Sequence, residues 1–228
     1  MRAAPALALL LLGLSGCSSV ATSPEQEETL NYVALGDSYT IGTSVSPDES
    51  WPSQLVERVP RLRLVANLGR NGFTSMDVRV QGMDPLPGLD PQFVTLMVGV
   101  NDVVAGVPDV IYDVEVRNIL GMILLHVPAD HILCIATPDY TVTPQGSAFG
   151  PPDEQRARIE GINALLREAC KEQEIRFVPD IFAISQAAAT DRSLVADDGL
   201  HPSGAQYTLW VDAIQPVVED MLLPSGDR

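Results

Sequence analysis

The chain has 228 residues, of which 46% are hydrophobic and 19% are charged. This size and balance predict one globular domain and exclude a disordered chain. Asp and Glu total 30 against 14 for Lys and Arg, so the formal net charge is −16. An acidic surface repels phosphate, which excludes nucleic-acid binding through a basic patch. Lys171 is the only lysine and lies among glutamates, which excludes Schiff-base chemistry and a Walker-type phosphate loop.

The N-terminal residues have the pattern of an export signal. An apolar run over residues 3–14 is too short to span a bilayer as a helix. Residues 14–17 read Leu-Ser-Gly-Cys and resemble the bacterial lipobox, in which the cysteine is lipidated and becomes the first mature residue. We expect a lipoprotein signal peptide over residues 1–16, then a lipidated Cys17 and a flexible tether over residues 17–29. An ordinary signal peptide with a chance cysteine is the alternative.

This N-terminus predicts the location of the protein. It would be exported and lipid-anchored to the bacterial cell envelope, on the periplasmic or extracellular face, with the anchor as its only contact with the membrane. The sequence carries no sign of an obligate partner, and we expect a monomer.

Cysteine and histidine usage predicts no metal site. Cys134 lies in an apolar strand pattern and Cys170 in a helical one, so two buried free thiols are favoured over a disulfide between them. His126, His131 and His201 do not combine with one another or with the cysteines into a spacing typical of zinc ligands.

From residue 30 onward, apolar runs of strand length alternate with helical patterns. Near-continuous runs rich in Val, Ile and Leu indicate strands buried on both faces of a parallel sheet. Five such strands predict an α/β fold, a three-layer α/β/α sandwich in one domain over residues 30–224. The predicted strands are Asn31–Leu35, Leu62–Asn67, Gln92–Val98, His131–Ala136 and Ile175–Val178. The predicted helices are Trp51–Val59, Thr74–Gln81, Pro108–His126, Pro152–Gln173 and Gly204–Leu223.

Residues that could perform catalysis follow the predicted strands. Ligands of an open parallel sheet bind at the carboxyl ends of its strands. A serine hydroxyl there needs an imidazole to accept its proton, and a carboxylate fixes the tautomer of that imidazole. Asp198 lies three residues before His201, so a short turn can bring its carboxylate to Nδ1 and leave the other ring nitrogen facing Ser38. Asp197 is the alternative acid.

The same strand ends offer donors for an oxyanion. A tetrahedral intermediate needs two or three preset hydrogen-bond donors. The backbone N–H groups of Ser38 and Gly72 and the side-chain amide of Asn101 follow three different strands. Gly72 suits a close backbone approach, since a Cβ would crowd the acyl carbon. Gly69 is the alternative glycine in this loop.

Two further acids are expected to be structural. Asp37, beside the predicted nucleophile, is expected to bond local backbone and hold its turn. Asp102 is expected to cap or brace the helix that follows Asn101. Trp51 and Trp210 are expected to pack in the core or at its rim.

Together these residues resemble the SGNH hydrolases, also called the GDSL esterase/lipase family. The matched motifs, in family order, are Gly36-Asp37-Ser38-Tyr39, Gly72, Gly99-x-Asn101-Asp102 and Asp198-x-x-His201, with Tyr39 in place of the usual leucine. The resemblance implies a flavodoxin-like sandwich, ester hydrolysis through an acyl-serine and no cofactor. Relatives act on short acyl esters, thioesters, lysophospholipids and O-acetyl groups of envelope polysaccharide.

The substrate is expected to be a small-molecule or envelope ester. The long loop Thr137–Pro152 contains Tyr140 and Phe149, which are expected to form a small apolar wall, and its prolines indicate a fixed, shallow site for a short acyl group. The chain has no Gly-x-Ser-x-Gly elbow, which excludes an ordinary α/β-hydrolase. A non-catalytic exported lipoprotein that uses the same fold as a binding module is the alternative.

Overall fold

The computed structural model describes Met1 and residues 28–224. The predicted lipidation site Cys17 lies outside the described residues, as do most of the predicted tether and, apart from Met1, the predicted signal peptide. Within the described part of the chain, no helix combines the length and the apolar character needed to cross a membrane.

Five parallel strands form one sheet at the centre of the domain. The strands are β1 (Leu30–Gly36), β2 (Leu62–Asn67), β3 (Phe93–Met97), β4 (Ile132–Ile135) and β5 (Arg176–Val178). Their order is β2–β1–β3–β4–β5, which is the flavodoxin-like order. All residues of β3 and β4 are buried, because helices cover both faces of the sheet. Strand order reverses between β1 and β3, so a ligand site is expected outside the carboxyl ends of these two strands.

Two helical layers enclose the sheet. The helices are α1 (Ser38–Ile41), α2 (Trp51–Arg58), α3 (Ser75–Asp77), α4 (Val100–Val104), α5 (Asp109–Ile123), α6 (Pro152–Glu172), α7 (Asp180–Ser185) and α8 (Gly204–Met221). Helices α2 and α7 pack against α8, whereas α5 packs against α3 and α6, and α6 also contacts α4. The predicted α/β/α sandwich with a five-stranded parallel sheet is therefore confirmed.

The predicted elements are all present, with ends that differ by a few residues. The largest difference concerns the predicted helix Thr74–Gln81, which is a single α-helical turn that continues as a π-helical segment over Val78–Gly82. Helices α1, α4 and α7 were not predicted, because segments of four to six residues are too short to show a helical period.

The core contains most of the large aromatic side chains. Trp51 and Trp210 are fully buried, as are Tyr32 and Tyr112. Cys134 and Cys170 are buried free thiols, which is the alternative that the sequence favoured. Within residues 28–224, no group of three or more His, Cys, Asp and Glu side chains is placed to hold a metal ion.

Candidate active site

Ser38 begins the short helix that follows β1. The Asp37 carboxylate caps this helix, because its Oδ1 accepts the backbone N–H of Tyr39 at 2.9 Å. Gly42 ends the helix in a left-handed conformation, with φ of 83°. Asp37 therefore holds the turn, as predicted. Burial raises the pKa of Asp37 to about 7, although the bond from Tyr39 lowers it.

The loop after β2 packs tightly on this turn. A Cβ added to Gly69 would lie 2.5 Å from the backbone N of Ile41 and 2.8 Å from the carbonyl oxygen of Asp37. Real Cβ atoms do not approach so closely, so a side chain at position 69 would displace the helix that carries Ser38. Gly69, the alternative glycine of this loop, thus allows the loop to contact the serine helix.

Asp198 and His201 lie together on the turn before α8. Oδ2 of Asp198 is 2.6 Å from Nδ1 of His201, while Oδ1 accepts the backbone N–H groups of Leu200 at 2.8 Å and His201 at 2.9 Å. Burial raises the pKa of Asp198, but hydrogen bonds from His201, Ser44 and these N–H groups outweigh burial and hold it well below its usual value. An ionised Asp198 can keep the proton of His201 on Nδ1. Among the described contacts, Asp198 and not Asp197 bonds the imidazole.

Gly72 and Asn101 lie on neighbouring loops. Gly72 has a left-handed φ of 78°, and a Cβ added there would meet no protein atom within 4 Å. Glycine is therefore favoured at position 72 by the left-handed backbone conformation and not by contacts with neighbouring protein atoms. Nδ2 of Asn101 donates to the carbonyl oxygen of Phe73 at 2.9 Å. Because an amide nitrogen carries two hydrogens, one remains for a ligand.

A single cavity joins these residues. Its volume is about 180 Å³, and Ser38, Gly72, Asn101 and His201 all line it. Its apolar lining comes from the side chains of Tyr39, Val100, Val104, Tyr140, Phe149 and Leu200. No hydrogen bond joins the Ser38 hydroxyl to His201 in the described structure, although such bonds are often long before substrate binds. The cavity therefore combines a hydroxyl, an imidazole and oriented donors with several apolar side chains.

Residues 34–209 match the family model of GDSL-like lipases and acylhydrolases. The chain belongs to the GDSL-like lipase/acylhydrolase family. It is accordingly a serine hydrolase that cleaves esters. A comparison with curated proteins finds no match.

Solved structures share the fold at low sequence identity. An alpha/beta hydrolase enzyme from the metagenome of Lake Arreo is 20% identical, with a TM-score of 0.65 over 86% of this chain and 98% of its own. An acetylxylan esterase from Geobacillus stearothermophilus is 17% identical, with a TM-score of 0.66 over 87% and 97%. A member of the lipolytic protein G-D-S-L family from Veillonella parvula is 14% identical, with a TM-score of 0.66 over 85% and 99%.

In this GDSL-like hydrolase, Asp102 has a different role from the one that the sequence predicted. It was expected to cap or brace the helix after Asn101, but its two carboxylate oxygens accept the backbone N–H and the hydroxyl of Ser75 at 2.8 and 2.5 Å. Asp102 thus holds the start of α3, a segment that follows Gly72. No local pattern predicts this contact, because the two residues lie in different helices, α4 and α3, and are 27 positions apart.

The sequence also gave no signal for two hydroxyls beside the site. Ser44 donates to Oδ2 of Asp198 at 2.7 Å, and Thr43 donates to Oδ1 of Asn71. Both serine and threonine are common in loops, and only the folded structure brings them to these partners. The apolar wall is closer to expectation, since Tyr140 and Phe149 both line the cavity with ring centroids 5.8 Å apart.

Proposed function

We propose that the protein is a serine esterase for carboxylic esters with short acyl or O-acetyl groups, acting through an acyl-serine. The observation that carries this proposal is the Asp198–His201 pair beside Ser38, in a cavity that Gly72 and Asn101 also line. Nucleophilic serine catalysis needs this set of groups at one site.

In the first half of the reaction, Ser38 Oγ attacks the ester carbonyl carbon as His201 Nε2 takes the hydroxyl proton. The carbonyl oxygen becomes an oxyanion, which accepts hydrogen bonds from the N–H groups of Ser38 and Gly72 and from Asn101 Nδ2. Collapse of the intermediate breaks the bond to the leaving alcohol, and His201 returns the proton to that alcohol. Asp198 stabilises the imidazolium throughout.

In the second half, water takes the place of the alcohol. His201 accepts a proton from the water as its oxygen attacks the acyl-serine, and the same three donors bind the second oxyanion. Release of the carboxylic acid returns the proton to Ser38. Apart from the ester and the water, each group that takes part in this cycle is a side chain or a backbone N–H of this protein.

The small cavity and its aromatic wall support a short acyl group. The cavity of about 180 Å³ is bordered by Tyr140, whose hydroxyl donates to Gln155 at 2.6 Å, and by Phe149. That bond holds the tyrosine ring in place before substrate binds. An acetylxylan esterase among the structural neighbours is consistent with an acetyl substrate. Rates that rise steadily from acetyl to dodecanoyl esters would contradict this assignment.

The site is tested with a fluorophosphonate probe on the full-length protein purified in detergent. The expected result is one labelled serine, Ser38, identified by mass spectrometry, with labelling lost in His201→Ala. Ser53→Ala, a serine outside the cavity, is the matched control and should label as the wild type does. Folded protein that takes up no label would instead favour a binding module that keeps the fold without catalysis.

We also propose that the enzyme is exported and lipid-anchored through Cys17, as a monomer whose only contact with the membrane is the anchor. The lipobox-like residues 14–17 support this proposal. Cells fed a radiolabelled fatty acid should incorporate it into the wild-type protein and not into Cys17→Ala. Equal incorporation in both would contradict the assignment.

A further inference from the structure

The segment that leaves the serine helix has an unusual backbone. Ser44 has φ of 68°, a left-handed conformation that residues other than Gly, Asn and Asp rarely adopt. It follows Gly42, which is also left-handed, and Thr43, whose backbone N–H donates to the carbonyl oxygen of Ser38 at 3.1 Å. Such a conformation persists where surrounding contacts fix it, and these positions cluster at functional sites.

Two adjacent hydroxyls of this segment contact two other loops of the site. Ser44 Oγ donates to Oδ2 of Asp198 at 2.7 Å, and Thr43 Oγ1 donates to Oδ1 of Asn71, the residue before Gly72. The segment that follows the serine helix is therefore hydrogen-bonded both to the turn of Asp198 and to the loop of Gly72.

The bond from Ser44 completes the coordination of Asp198. A carboxylate has about four acceptor positions. On Asp198, two are taken by the backbone N–H groups of Leu200 and His201 and one by Nδ1 of His201, all within the same turn. Among the described residues, Ser44 supplies the one donor to this carboxylate from outside that turn. Among the described hydrogen bonds, it is the one that joins this carboxylate to the segment after the serine helix.

We propose that Ser44 is a positioning residue, whose hydroxyl holds Asp198 so that the imidazole of His201 is aligned with Ser38. The backbone strain at position 44 fits this role, because it aims the hydroxyl at Oδ2. The inference rests on the proposed function for its effect on catalysis, whereas the contact itself can be measured without activity.

Two variants of Ser44 distinguish the effect of its hydroxyl from the effect of its left-handed backbone conformation. Ser44→Ala and Ser44→Gly both remove the hydroxyl, but glycine also relieves the left-handed strain. Since Ser44 is exposed, both proteins should fold. Ser46→Ala is the matched control, because this nearby exposed serine bonds Glu49 and has no contact with the site. If Ser44 served only to form the left-handed turn, Ser44→Gly would behave as the wild type does.

The first readout is the NMR resonance of the Nδ1 proton of His201, followed at a fixed pH. It should shift upfield and exchange with water several-fold faster in Ser44→Ala and Ser44→Gly alike, and stay unchanged in Ser46→Ala. The second readout is kinetic. For an acetyl ester, kcat should fall about tenfold in both Ser44 variants, with KM within about twofold of the wild type.

An unchanged Nδ1 resonance in Ser44→Ala, or wild-type behaviour of Ser44→Gly, would overturn the positioning role. The shifted resonance in a protein that neither labels at Ser38 nor cleaves esters would support the contact and overturn the proposed function instead. The two failures are therefore distinguishable.

Discussion

The carboxylate of Asp102 accepts both hydrogen-bond donors of Ser75, the backbone N–H at 2.8 Å and the hydroxyl at 2.5 Å. The preceding residue, Asn101, donates to the carbonyl oxygen of Phe73 at 2.9 Å. Two consecutive residues of α4 therefore hold the segment on both sides of Thr74. Because this segment follows Gly72 directly, these bonds also fix the distance between Gly72 and Asn101, two of the three proposed oxyanion donors.

Replacement of Asp102 by alanine should therefore affect both stability and catalysis. Asp102 is buried, so Asp102→Ala leaves the Ser75 N–H without a partner and should lower the free energy of unfolding by about 1–3 kcal/mol. Ser75→Ala retains the bond from the backbone N–H, so it should lower the free energy of unfolding by less than Asp102→Ala does. Urea unfolding and steady-state kinetics on the same preparations check this order. Equal losses in the two variants would show that the hydroxyl carries the whole contact.

The glycine that contacts the serine helix should be less replaceable than the glycine at the oxyanion site. A Cβ at position 69 would meet backbone atoms of Ile41 and Asp37, so Gly69→Ala must move α1 and should cost about 3 kcal/mol. A Cβ at position 72 meets open space, so Gly72→Ala should cost only the left-handed conformation, about 1–2 kcal/mol. Thermal unfolding of both variants tests this, and a larger loss in Gly72→Ala would contradict it.

Much of the fold could be predicted because its signals are local. Apolar runs predicted the strands, and the spacing between Asp198 and His201 predicted their contact, since both depend on residues close in sequence. The contact between Ser44 and Asp198 depends instead on a left-handed residue and on loops that are 154 positions apart. The bond between Asp102 and Ser75 likewise depends on how two short helices, α4 and α3, are placed relative to each other. The sheet could therefore be predicted from the sequence, whereas the conformation of the loops and short helices that follow its strands could not.

The apolar wall predicts how acyl length can be changed. Phe149 lines the cavity and has 37% of its surface exposed, so Phe149→Ala should open that side of the cavity with little effect on folding. The optimum of kcat/KM over acetyl to dodecanoyl esters should move to longer chains by a few carbons. Leu125→Ala removes an exposed side chain outside the cavity and should leave the optimum unchanged. The same optimum in both variants would show that Phe149 does not limit acyl length.

Asp37 should make the stability of the fold depend on pH in a direction opposite to that of Asp198. Burial raises the pKa of Asp37 from 3.8 to about 7, so between these values the folded state holds a proton that the unfolded state has lost. The contribution of Asp37 to stability is complete below about pH 4 and is lost as the pH rises to 7, on the order of 4 kcal/mol in total. The low pKa of Asp198 acts the other way, since its contribution is present above the usual carboxyl pKa and is lost in acid.

Asp37→Asn isolates the first effect, because asparagine keeps an oxygen for the Tyr39 N–H and cannot ionise in this range. Relative to the wild type, the variant should gain free energy of unfolding as the pH rises from 5 to 8. Urea unfolding at several pH values measures this difference. Ser38→Ala, at the adjacent buried position, should retain the wild-type dependence. A constant difference between Asp37→Asn and wild type across this range would mean that Asp37 is ionised in the fold throughout.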